Sequence, residues 1–323
     1  METLNLTAEK TQLSNVVISD STKETVKKIL VENNLDFDIV KLPLVGITNQ
    51  TIIDGNGMPV QVQKQHQSPY YGLLNTKSGN IINSVKEGYT VTQNDEIVGI
   101  MLEGAKPFQH LLSVQKAHNI NDGRKILLQL KIEGKGTVNG DTITRYLNLV
   151  DSNDGTTCLA VGVGTHTLSC ENSFLKWYKG TESKLQHSQS IASRINKIPK
   201  LIELALNEAD MLLNLYQKFE STKVSRDLAH KLVNSLLGFD RTSSVKELST
   251  RNVNIMTDLY DSIEAEMNSK GNNLWGLHSG VTHYTTHKKP APKRDNGKIE
   301  NIAFGSANLM NNKALEFVMQ YAD

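Results

Sequence analysis

The run Asn121-Asp122-Gly123-Arg124-Lys125-Ile126-Leu127-Leu128-Gln129-Leu130-Lys131-Ile132 lies inside a longer stretch, His110 to Cys170, in which apolar and polar residues alternate. Ile126, Leu128, Leu130 and Ile132 fall on one side of an extended chain, and Lys125, Gln129 and Lys131 with Leu127 fall on the other. Asn121-Asp122-Gly123, and Asn153-Asp154-Gly155 further on, supply residues that tolerate the positive φ of tight hairpin turns. The stretch therefore predicts an antiparallel meander with strands at Phe108–Asn119, Arg124–Ile132, Thr142–Asp151 and Thr156–Cys170. One face is core and the other is available for binding.

Upstream, Val26, Ile29 and Leu30 at helical spacing predict an amphipathic helix over Thr22–Asn33. Strands are expected at Phe37–Gly46 and Val60–Gln65 around the turn Asp54-Gly55-Asn56-Gly57, and a hairpin from Tyr70–Asn75 to Asn80–Val85. Asn94 is placed to cap a helix that runs to Glu103, with Asp95 and Glu96 in its first turn. From Glu171 onward the pattern reads as helical only. Helices are expected across Ser188–Glu220 with a break near Pro199, then at Ser225–Leu237, Val245–Asn268, Asn273–His287 and Ser306–Tyr321. The segment His287–Gly297, with two prolines and four cations, reads as an exposed loop. The expected fold is α+β, an antiparallel β-meander packed on helices and followed by a mostly helical C-terminal half. Residues 1–35 form a tail and short helix, 36–180 a β-rich core and 181–323 a helical region.

The chain has 323 residues, 35 basic against 34 acidic, and 38% hydrophobic content. That is ample for a core, and affinity for a polyanion has to come from local clustering. No apolar run is long enough to span a membrane and the N-terminus carries no basic-then-apolar leader, so a cytoplasmic protein without a membrane partner is expected. Cys158 and Cys170 fall on one expected strand, too far apart along it to bond, and read as small thiols.

The residues bear on three kinds of chemistry. Gly134-Lys135-Gly136 and Gly162-Val163-Gly164 lack the Gly-Lys-Ser/Thr ending of a phosphate loop and lie among strands; the second pair reads as a bulge or a close approach to the backbone. His283 and His287 stack four apart on a helix with His278 nearby, but no acid or cysteine joins them, and they read as solvent-facing or hydrogen-bonded. No catalytic residue, cofactor or metal is expected. The third signal is cationic. Lys176, Lys179, Lys184, Arg194, Lys197 and Lys200 face the single acid Glu182, a net charge of +5 directly after the last expected strand, with Trp177 and Tyr178 at its start. Arg124, Lys125, Lys131, Arg145 and Tyr146 add a similar mixture from the meander, although Arg145 and Tyr146 must face opposite ways. Together they predict one cationic trough for single-stranded DNA, with Tyr146 or Trp177 stacking on bases and with steep weakening by salt.

Several stretches resemble the phage- and plasmid-borne family called domain of unknown function 932. They are Tyr71-Gly72-Leu73-Leu74-Asn75-Thr76-Lys77-Ser78-Gly79-Asn80-Ile81-Ile82, Tyr89-Thr90-Val91-Thr92-Gln93-Asn94-Asp95-Glu96, Arg145-Tyr146-Leu147-Asn148-Leu149, and Cys170-Glu171-Asn172-Ser173. Leu274-Trp275-Gly276, Val281-Thr282-His283-Tyr284 and Phe304-Gly305 add to these. Ser279-Gly280 departs from the Asn-Ala usual in the family, and His283 stands where an acid is common. The resemblance implies a setting among replication and recombination genes. The order helix, meander, long helix is similar to that of single-strand annealing recombinases, which implies a homo-oligomeric ring or filament that anneals single strands without nucleotide hydrolysis. The other reading, from a different class, is a non-enzymatic phage protein that binds or inhibits a host factor.

Overall fold

The computed structural model describes residues 17–157, 159–167, 169, 171–177, 184–185, 196–239 and 249–322. Cys158 and Cys170 lie outside them.

The first helix, α1 (Asp20–Glu32), starts where the Ser19 side chain accepts a hydrogen bond from the Thr22 backbone N–H, and it turns Val26, Ile29 and Leu30 inward. Ser19 in turn donates from its backbone N–H and its hydroxyl to Glu103, at 2.8 and 2.9 Å. Burial alone would raise the Glu103 carboxyl, but hydrogen bonds from Lys106, Thr22 and Ser19 outweigh it and hold it at about 2.

β1 (Ile39–Ile53), β2 (Pro59–Asn75) and β3 (Ile81–Lys86) form an antiparallel sheet in that order. The first two strands run longer than the residue pattern predicts. β1 carries Pro43 through a register shift between Pro43 and Val45, and β2 passes Pro69 where ladder pairing is interrupted, so neither missing N–H ends its strand.

Next comes α2 (Asn94–Ala105), in which Asn94 is the first helical residue and not the cap. Its amide instead donates to the carbonyls of Leu35 and Phe37, while the Gln93 carboxamide makes both hydrogen bonds of an extra strand to Ile39. These tertiary partners outcompete the local cap.

The meander forms as β4 (Leu112–Ile120), β5 (Lys125–Val138), β6 (Asp141–Ser152) and β7 (Leu159–Thr167), each antiparallel to its neighbour. Asn121, Asp122 and Gly123 all have positive φ. The expectation of helix alone after Glu171 is overturned, because β8 (Ser173–Trp177) pairs with β7 and β9 (Lys184–Leu185) pairs with the start of β7. The meander turns also join the two sheets. Asp122 accepts from Ser78 Oγ and Asn80 Nδ2, both at 2.9 Å, and Asn83 donates to the Asn153 carbonyl at 2.8 Å.

Gly123 is required twice over, by its φ of 81° and because a Cβ there would lie 2.4 Å from Phe37 Cζ. Gly123→Ala is expected to cost about 1–3 kcal/mol through backbone strain and displacement of Phe37. The midpoint of urea unfolding measures it, and an unchanged midpoint refutes it.

The remaining elements are α3 (Ile198–Ser221), α4 (Arg226–Leu237), α5 (Thr250–Lys270), α6 (Leu274–His283) running into a π-helical turn at Tyr284–Lys288, α7 (Gly297–Phe304) and α8 (Ser306–Met319). Pro199 sits in the first turn of α3, where its missing N–H costs nothing. Residues 188–195 and 245–248, included in two of the expected helices, are not described. The main apolar core runs from Val26 to Ala322, and α3 crosses the inner face of the second sheet, with Tyr216 at Thr165 of β7 and Leu213 at Gly136 of β5, while Ile198 and Ile202 at its start pack on Gly104 of α2. No helix among the described residues is long and apolar enough to cross a membrane.

Candidate nucleic-acid interface

Register assigns each residue of the second sheet to a face. Ile126, Leu128, Leu130, Leu147, Leu149, Val161 and Val163 point inward to α3, so Lys125, Leu127, Gln129, Lys131, Tyr146, Asn148, Gly162, Gly164, His166, Leu175 and Trp177 point outward.

The outer face divides in two. Its turn-proximal half is covered by α7, a helix the residue pattern did not predict, which closes Ile120, Leu127, Val150, Ala160 and Leu175 under Ile299, Ala303 and Phe304. Trp177 belongs to this covered half. Its indole N–H donates to the Ala303 carbonyl at 2.7 Å and its ring stacks on Phe304 at 5.3 Å between centroids. Ile299, Ile302 and Ala303 at helical spacing after Asn296 were the available signal for α7.

The other half is polar and only partly open: Gln129 and Tyr146 are half-buried, and His118 and Asn148 are buried. His118 Nε2 meets Gln129 Oε1 at 2.8 Å, Gln129 Nε2 donates to Asn148 Oδ1 at 2.9 Å, and Asn148 Nδ2 donates to the Tyr146 carbonyl at 3.4 Å. This row of side chains crosses β4, β5 and β6. Gly164 makes room for it, since a Cβ there would lie 2.8 Å from Asn148 Nδ2, and Gly162 likewise makes room for Trp177 at 2.7 Å. The close approach expected at these glycines is thus made by the chain's own side chains.

A cleft of about 220 Å³ opens here, floored by Gln129, Tyr146, Asn148 and His166 and walled by Ile299 and Ile302. Among the described residues no carboxylate lines it. His166 Nδ1 lies 3.1 Å from Ser173 Oγ, and burial lowers both His118 and His166, keeping them neutral near pH 7. Burial raises the half-buried Tyr146 phenol. The cations of this half are the exposed Lys116 and the partly exposed Lys131, which is 3.7 Å from Glu133.

The expected single cationic trough is not assembled among the described residues. Arg145 and Lys176 point to the inner face, where Arg145 is paired with Asp210 and Lys176 lies 2.6 Å from Glu208, both on α3. Alternation sent them there, one residue out of phase with Tyr146 and Trp177. Lys125 faces outward but is buried against Asp154 and Phe304, and Arg124 is half-buried at the end of its turn. Lys197 is exposed just before α3. Lys179, Arg194 and the side chain of Lys184 lie outside the described residues. Of the expected residues, the structure brings Lys131 and Tyr146 together on the open half and adds Lys116, His118, Gln129, Asn148 and His166 to them.

The three histidines of the expected Asn273–His287 helix do not gather. His283 and His287 have ring centroids 4.7 Å apart, whereas His278 is enclosed by Phe174, Tyr216, Phe219 and Trp275. Among the described residues no group of three or more His, Cys, Asp or Glu is placed to hold a metal ion.

Residues 81–307, well over half of the chain, match the family described as Domain of unknown function (DUF932). The chain belongs to that family. In this DUF932 protein the match takes in β3, the whole second sheet and the helices through α7, so both halves of the outer face lie within it. The β1–β2 ribbon lies before it. No curated protein and no solved structure matches the chain.

Proposed function

We propose that this protein binds single-stranded DNA on the open half of the outer sheet face and promotes strand annealing as a homo-oligomer, without nucleotide hydrolysis, in phage or plasmid recombination. The observation that carries this reading is the cleft in which the part-exposed Gln129, Tyr146 and His166 surround the buried Asn148, flanked by Lys116 and Lys131 and with no carboxylate among its described lining residues. Carboxamides and imidazoles satisfy the polar edges of unpaired bases, a tyrosine gives a stacking plane, and an exposed antiparallel sheet holds two or three bases at a time. The similarity in element order to annealing recombinases supports the same reading by analogy.

Two accessible cations among the described residues of this face, Lys116 and Lys131, imply that bases outweigh phosphates in the contact. The affinity for a short oligothymidylate is therefore expected to fall with a log–log salt slope of only about −1 to −2, shallower than the residue pattern suggests. Tyr146→Ala is expected to weaken binding by roughly 5- to 100-fold, the equivalent of one lost base stack. Lys131→Gln should reduce the salt slope by about 0.7. Fluorescence anisotropy at several salt concentrations measures all three. Binding that Tyr146→Ala leaves unchanged removes this face from the interface, and no binding at any salt refutes the reading.

A further inference from the structure

β1 and β2 continue well beyond the body of the protein. From Val45 to Gln67 every residue is exposed except Asp54 and Val62, which are half-buried. β3 pairs with β2 only from Tyr70 to Leu74, so over Val45–Ile53 and Pro59–Gln67 the two strands pair with each other alone. The result is a two-stranded arm about 30 Å long, from nine residues a side at ~3.3 Å each. Val45, Ile47, Ile52, Ile53, Met58 and Val60 are all exposed on it.

A lone two-stranded ribbon is marginal in water and gains independent stability when a third strand joins it. Its two edges are not equivalent. The β2 edge carries Lys64 and His66, and an edge lysine discourages further pairing. The β1 edge has no charged residue from Leu42 to Ile53. A polyanion finds no cation along that edge, and a charged protein finds no counter-charge. A second copy of the same edge matches it, because an antiparallel strand is self-complementary about a two-fold axis. An axis at Asn49 sets Val45 opposite Ile53, an apolar pair at each end of the seam, and Ile47 opposite Thr51, two β-branched residues that pack across it.

We propose that the β1 edges of two copies pair antiparallel about Asn49, joining the arms into a four-stranded sheet in the order β2, β1, partner β1, partner β2. This deepens the self-association in the proposed function and rests on that part of it, but not on DNA binding. The seam would bury only ~600 Å² in total, below the ~1,200 Å² of a stable standard interface, so the dimer is expected to be reversible and concentration-dependent.

The test uses the full-length protein without DNA. Sedimentation from about 1 to 100 μM, the range over which an interface this small should dissociate, is expected to show monomer passing to dimer. Ile47→Lys with Thr51→Lys should leave it monomeric, with the far-ultraviolet circular dichroism of the body retained. Because those changes could loosen the arm itself, Asn49→Cys provides a second reading. It should cross-link two copies on mild oxidation, since directly opposed residues lie within disulfide reach, whereas Gln63→Cys on the other edge should not. A monomer throughout the range, a dimer indifferent to the double variant, or equal cross-linking at both positions would overturn the pairing. If the double variant keeps its mass but loses oligonucleotide binding, the arm belongs to nucleic acid and the pairing is likewise refuted. A monomeric double variant that still binds oligonucleotide would uphold the pairing and leave the DNA reading to its own test.

Discussion

Lys270→Ala is expected to destabilise the protein by about 3–5 kcal/mol, the cost of removing one partner from a buried ion pair. The Lys270 side chain is only 4% exposed at the C-terminal end of α5. Its ammonium is paired with Asp141, at the β5–β6 turn, and lies 3.7 Å from Glu266 one turn back on its own helix. Glu266 also accepts from Ser279 Oγ at 2.6 Å, and Asn172, between β7 and β8, donates to Ser279 at 3.1 Å. The Lys270 carbonyl accepts from Asn139 at 2.8 Å and from Asn273 at 3.0 Å. The sheet and two helices are therefore fastened at one point. Truncation leaves two carboxylates facing a poorly solvated space with their shared cation gone, and for a domain stable by ~5–15 kcal/mol that is a large fraction. Lys270→Met combined with Glu266→Gln should recover part of the loss, because it removes charges of both signs while Gln still accepts from Ser279. Chemical denaturation of the wild type, single and double variants measures both. A single-variant loss under about 1 kcal/mol would mean that water reaches the carboxylates and that the network is solvated.

What could be read in the residues and what could not separates along physical lines. The meander was legible because Asn121-Asp122-Gly123 and Asn153-Asp154-Gly155 demand turns and because the inward residues of β5 to β7 are nearly all apolar. β8 was not, since both of its faces are covered. Phe174 packs in the main core while Leu175 and Trp177 pack under α7, and a strand buried on both sides shows no alternation. Lysine density along the chain likewise misled. Lys176 and Trp177 are adjacent in sequence yet lie on opposite faces of the sheet, so a cluster counted linearly is split in space. The polar row had the opposite fate. His118 and Gln129 carry no motif, and they come into line with Asn148 only through the register Gln129↔Asn148 and His118↔Leu127. That register follows from the turns in principle, but the irregularity between Val114 and Lys116 has no signature in the residues.

The second large effect is a loss of stability in mild acid, traceable to His278. Its ring is enclosed by Phe174, Tyr216, Phe219 and Trp275, with centroids 5.5 to 6.2 Å away, and among the described residues neither nitrogen has a hydrogen-bond partner. The nearest ionisable groups do not offset this. The Tyr216 hydroxyl is engaged with Thr165, and Lys270 sits on Trp275. Desolvation lowers His278 from 6.5 to about 4. A folded value below the unfolded one means that the unfolded chain binds the extra proton, so stability rises with pH through this window. The contribution is complete above about 6.5 and is withdrawn as pH falls toward 4, a loss of up to about 3 kcal/mol at ~1.4 kcal/mol per unit. His118, His166 and His283 are lowered in the same direction from less enclosed positions, so the wild-type slope is a sum. His278→Leu isolates the largest part. It keeps an apolar side chain in the cage, removes two unpartnered nitrogens, and is expected to leave stability at pH 7 unchanged or higher while flattening the profile between pH 4.5 and 6.5. Glu103, held at about 2, acts below that window, so its withdrawal does not obscure the comparison. Urea unfolding at half-unit pH steps would decide it. If wild type and His278→Leu lose stability in parallel as the solution is acidified, the histidine is reached by solvent in the native state and the enclosed aromatic cage is wrong.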